Sequence, residues 1–145
     1  MFASVNRILI IKILSGFVFI AAIAGIDVVL RARNAHMKAE RYMSWHLNPT
    51  LKVESIEAEY AAKIKRLEKQ LEKDSVSRRE FETAVSELHS EKAFKMKDSA
   101  IKNAYYWYQT AAECFPPPLS KWSRDAKEKL PLAEKLWKEE SDSLK

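Results

Sequence analysis

Apolar positions follow three different spacings along this chain. From Ile8 to Leu30 they are nearly continuous, with only Lys12 and Asp27 charged. A bilayer core is crossed by about 20 mostly apolar residues in a helix, so this run predicts one membrane-spanning helix. Its uncharged centre, Ile13 to Ile26, rises about 21 Å at 1.5 Å per residue, short of a hydrocarbon core of about 30 Å. Lys12 is therefore expected to snorkel toward one surface, with Asp27 near the other. Arg31 follows Asp27 by one helical turn and is its expected partner. Ala21 and Gly25 form a small-xxx-small pair that would admit a second membrane helix. A cleaved signal peptide is the competing reading, with Arg7 and Lys12 as its basic region and Ala22-Ile23-Ala24 as its cleavage site. The return of apolar residues at Val28-Val29-Leu30 favours an anchor. Arg31, Arg33, Lys38 and Arg41 follow the span, against Arg7 and Lys12 before it, which leans toward a cytoplasmic C-terminal part. The trailing cluster also suits anionic headgroups.

Residues 31–50 read as a juxtamembrane helix and a kink. The helix is expected to continue to Trp45. Asn48-Pro49 then combines a favoured N-cap with a favoured first helical residue.

Residues 51–92 carry a seven-residue spacing. Tyr60, Ile64, Leu67, Leu71, Phe81, Val85 and Leu88 fall at a and d positions, with Glu and Lys around them. This is a coiled-coil pattern. Asp74 and Arg78 occupy the seam in the middle. The phase is kept across them, which favours one straight rod. The alternative is a turn at Asp74 to Ser77, since Ser77 with Glu80 fits a capping box that would start a second helix folding back.

Residues 93–145 read as a helical hairpin with a polar tail. Ala93, Phe94, Ala100, Ile101, Ala104, Tyr108, Ala111 and Phe115 recur at helical spacing. Pro116-Pro117-Pro118 ends that helix, Ser120 caps the next, and Pro131 is expected to bend or split it. Tyr105-Tyr106-Trp107-Tyr108 covers every face of one turn. Ala104 and Tyr108 are expected inside, which turns Tyr106 and Trp107 outward. Together with Trp137 these are the expected partner-binding anchors, since Tyr and Trp are preferred in protein contacts.

The spacing of Ala104, Tyr108, Ala111 and Pro116, followed by Trp122 and Ala126, resembles the tetratricopeptide repeat over residues 104–126. The preceding half-repeat matches only at Leu88. The resemblance implies helix-pair packing and a peptide- or protein-binding role.

Composition narrows the chemistry. Gly16 and Gly25 are the only glycines, which removes phosphate-cradling loops and the G-x-S-x-G nucleophile turn. His36, His46 and His89 lie far apart in sequence, so no metal, haem or other cofactor is expected. Carboxylates sit beside lysines on solvent-type faces, and no catalytic residue is assigned. Cys114, the single cysteine, is expected as a buried small hydrophobe. The net charge of +5 is spread among nearly equal acid, so neither nucleic acid nor a small-molecule substrate is an expected partner.

The expectation is an all-α chain with an N-terminal single transmembrane helix, a coiled-coil-like long helix and a C-terminal helical hairpin. Its function is expected to be assembly in a membrane: association with itself or with subunits of a larger membrane complex as a non-catalytic accessory. A membrane-tethered peptide-binding adaptor is the third reading.

Overall fold

The computed structural model describes residues 2–114 and 120–143, with side chains from residue 11 onward. Among these the chain is all helical: α1 (Phe2–Leu47), α2 (Pro49–Glu72), α3 (Arg78–Lys97), α4 (Ala100–Glu113) and α5 (Lys121–Ser143). Phe115, the three prolines and Leu119 lie outside the described residues.

α1 is a single helix of 46 residues. Its first part holds one stretch long and apolar enough to cross a membrane. The side chains there, including Phe17, Val18, Phe19 and Ile20, are exposed to the surroundings and uncovered by the chain. The Asp27–Arg31 pair forms, with Nε 2.7 Å from the carboxylate. Past Leu30 the helix changes character. Ala32, Ala35, His36 and Ala39 are buried, at the three- and four-residue spacing of one helix face.

The helices form two compact units, Met1–Ala39 with Tyr105–Lys145 and Glu40–Ala104. In the second unit, Asn48 ends α1 and starts α2, its side chain accepting from the Leu51 amide at 3.3 Å with Pro49 at the first turn. The Asn-Pro boundary is thus where the sequence put it. Trp45, Ile56, Tyr60 and Ala100 make the core, with Tyr42, Leu88 and Met96 packed against it.

The straight rod expected over residues 51–92 is corrected: the segment folds back. α2 ends in a Schellman arrangement, in which the Ser75 amide donates to the Gln70 carbonyl (2.9 Å) and the Asp74 amide to that of Leu71 (3.0 Å). Asp74 takes the left-handed conformation, φ 52°. Ser77 then caps α3 in the reciprocal box with Glu80. Ion pairs fix the antiparallel register: Lys95–Glu59 at 2.8 Å, Lys63–Glu91 at 3.4 Å and Lys92–Glu57 at 3.5 Å.

The helix expected over 93–115 is also corrected. It stops at Asp98, whose backbone is extended, and α4 restarts with the Ser99 hydroxyl accepting from the Lys102 amide at 3.1 Å. Phe94 therefore belongs to α3 and is 72% exposed, whereas Ile101 and Ala104 are fully buried. Pro131 lies inside α5 without ending it. Ser120 caps that helix as expected, accepting from the Trp122 amide at 3.2 Å.

Candidate interaction site

Glu82, Ser86, His89 and Ser90 share one shallow groove on α3, where the Ser90 hydroxyl donates to the Ser86 carbonyl at 3.1 Å and not to the histidine. What the residues build is surface, and two stretches of it stand out.

The first is the α2–α3 hairpin. Tyr60 is buried, but Ile64, Leu67, Leu71, Phe81, Val85 and Leu88 are only half-buried. From Ala61 to Ser99 no residue is buried. Two helices cover one stripe of each other and leave the flanks of that stripe open. Phe81, Val85 and Ala93 line a shallow groove on α3 with His89. Leu67, Ala84 and Leu88 line another between α2 and α3. Charge is distributed evenly over both helices. α2 carries Lys52, Lys63, Lys65, Arg66 and Lys69 against Glu54, Glu57, Glu59, Glu68 and Glu72. At the base of the hairpin, the Lys95 hydrogen bond holds the Glu59 carboxyl below the usual range. Partial burial opposes this, and Lys63 assists it. Burial pushes the Tyr60 phenol up, with Glu91 adding to the effect.

The second stretch is the aromatic end of unit one. The four aromatics of α4 diverge as the helical period requires. Tyr108 is buried beside His36, their rings edge to face at 6.0 Å. Trp107 is half-buried, its ring 4.0 Å beneath the Lys38 ammonium. Tyr106 is 46% exposed, and Trp137 lies against both Tyr105 (5.0 Å) and Tyr106 (5.6 Å). The expected anchors Tyr106 and Trp137 are thus brought together, while Trp107 stands apart under a lysine. Ala21 and Gly25 lie in the apolar part of α1, and nothing of the chain is within 4 Å of a Cβ placed at Gly25.

His36 was not among the residues expected to do work. It is 3% exposed, lies 5.3 Å from the Trp122 ring, and shares a hydrogen bond through Nε2 with the Asp125 carboxylate of α5. Lys129 reaches the same carboxylate at 3.3 Å. Burial would raise the Asp125 carboxyl, but the His36 and Lys129 hydrogen bonds outweigh it and hold the group below its ordinary value. The signal was present in the sequence: His36 interrupts a stripe of alanines at 32, 35 and 39, so it had to face inward. Cys114 corrects a further expectation, since it is exposed and not buried. It sits just past the last turn of α4.

Of the residues that carry the tetratricopeptide resemblance, Ala104, Tyr108, Ala111 and Ala126 are buried and Trp122 is half-buried. Any packed helix pair with this spacing buries the same positions. Pro116 lies outside the described residues. No family model, curated protein or solved structure matches the chain.

Proposed function

We propose that this protein is a single-pass membrane assembly protein that spans the bilayer through α1 and associates through its α2–α3 hairpin with a second copy of itself. One observation carries the reading: the hairpin's apolar seam is only half covered. A pair of helices with such a seam is completed by two more, in the manner of a four-helix bundle. The near balance of basic and acidic residues along α2 and α3 supports a second copy as the occupant, because a surface of one sign would repel its own duplicate. Burying the flanks of Ile64, Leu67, Phe81 and Val85 contributes roughly 25 cal/mol per Å² of apolar surface removed from water.

The test is the mass of the full-length protein in mild detergent, with Leu67→Glu and Phe81→Glu as variants. A discrete oligomer reduced to monomer by either substitution, with helicity intact, supports the reading. A wild-type monomer that leaves native membranes bound to larger membrane proteins in fixed ratio would replace it with the accessory-subunit reading. There the partners, not a second copy, would cover the seam.

A further inference from the structure

Within unit one, the ring and hydrogen-bond contacts set the level of each helix along α1. His36 meets Tyr108, while Lys38, two residues further up α1, meets Trp107. This stretch of α4 therefore descends as α1 rises. Trp122 and Asp125 meet His36, whereas Trp137 meets Tyr105 and Tyr106, the earlier end of the same stretch. So α5 rises alongside α1. The last residues of α4 and the first of α5 consequently lie on the anchor's side of His36. Cys114 is six residues past Tyr108, and Lys121 is four before Asp125. These are displacements of about 9 and 6 Å along their helices. His36 itself stands about 9 Å beyond Leu30, the last residue of the apolar run. The ends of α4 and α5 thus come level with Arg31 and Arg33, where α1 leaves its apolar stretch.

Arg33, Lys121 and Arg124 are exposed at this level. The acids there among the described residues are Asp27, which Arg31 holds, Glu113, which accepts from Gln109 at 3.2 Å, and Asp125 beside Arg124, whose carboxylate His36 and Lys129 engage. Trp122 is half-buried, between His36 and the Lys121 ammonium 4.7 Å above its ring. It fixes the start of α5 to α1, so the cations are presented from packed helices.

We propose that Arg33, Lys121 and Arg124 form a basic collar that binds anionic phospholipid headgroups where α1 emerges from the bilayer. The inference rests on α1 spanning the membrane. The negative potential of an anionic leaflet acts over about one Debye length, roughly 8 Å at physiological salt. The collar lies within that distance of the end of the apolar run. Each basic residue so placed contributes about fivefold in local enrichment of anionic lipid.

Cys114 supplies the probe, being exposed and the only cysteine. The full-length protein, labelled there with a fluorophore, is placed in phosphatidylcholine vesicles containing about one-third phosphatidylglycerol, enough for an anionic surface. Quenching is compared between phosphatidylglycerol and phosphatidylcholine carrying nitroxide headgroups. The expected result is severalfold stronger quenching by the anionic lipid. The excess should be lost in the Arg33→Gln, Lys121→Gln, Arg124→Gln triple variant at unchanged helicity, and lost for the wild type in about 1 M salt. Equal quenching by both lipids overturns the collar, as does an excess that survives both the triple variant and high salt. Absence of quenching in protein that floats with the vesicles overturns it too. Protein that does not float at all removes the membrane span itself, a separate failure.

Discussion

Lys52, near the start of α2, donates to the backbone carbonyl of Asp98 at 2.7 Å and to that of Met96 at 2.8 Å. One ammonium thus closes the C-terminal end of α3, where carbonyls point out without helical partners. Lys52→Met keeps the aliphatic stem and removes both charge-assisted bonds. It is expected to cost about 1–2 kcal/mol, given the partial exposure of the site. Thermal unfolding of the variant beside the wild type measures this. A shift within error would mean that water serves those carbonyls equally well.

The turn between α2 and α3 places Asp74 in the left-handed region. Glycine adopts that conformation without steric cost, and a β-branched residue resists it. Asp74→Gly should leave stability unchanged or raise it by up to about 1 kcal/mol. Asp74→Val should lower it by about 1–2 kcal/mol. Chemical denaturation of the pair gives the comparison. Equal stability of the two variants would argue that the chain does not turn there.

Phe94 and Ile101 shared one expected helix face but fall on opposite sides of the break at Asp98. Ile101→Ala is expected to cost 2–5 kcal/mol, as for a fully buried aliphatic side chain. Phe94→Ser should stay within about 0.5 kcal/mol, as at an exposed surface position. A large loss from Phe94→Ser in the monomer would restore the unbroken helix.

Asp125 links stability to acid. Its carboxyl is held low in the folded state. A depressed carboxyl contributes stability above its unfolded value, about 3.9, and that contribution disappears as pH falls through the folded value. Asp125→Asn should therefore melt below the wild type at pH 6. The gap should narrow as the pH is lowered below about 4. Melting curves of both proteins across that range decide the point. A gap independent of pH would assign the loss to packing alone.

Much of this was legible in the sequence, and the misses have physical causes. The apolar run, the Asn48-Pro49 boundary and the Ser120 cap each rest on local chemistry that nothing distant overrides. The turn at Asp74 was harder. With the heptad phase unbroken, a rod was the simpler expectation, yet aspartate reaches the left-handed region at modest cost and Ser77 with Glu80 restarts the helix. The heptad phase is the same for a seam between two molecules and for one folded onto itself, so spacing does not choose between them. Phe94 was grouped with Ile101 because a helical period runs smoothly across Asp98 and Ser99. Those residues favour caps over helix interiors, which was the available warning. His36 shows the converse error. A lone histidine was weighed only as a ligand, although the alanines around it marked the inward face.

α1 has no break between Phe2 and Leu47. It is about 69 Å of unbroken helix, whose apolar part passes directly into the Ala32, Ala35 and Ala39 face. An anchor joined this way acts as an axle and not as a tether. Each residue inserted between Leu30 and Ala32 would turn that face by about 100° relative to the anchor. Two insertions would carry it to the far side, and seven would return it to within about 20° of its starting direction. A loop at that junction would absorb such changes without torque. With α1 in a bilayer, as proposed, the azimuth of α4 and α5 would follow which side of α1 faces a neighbour there.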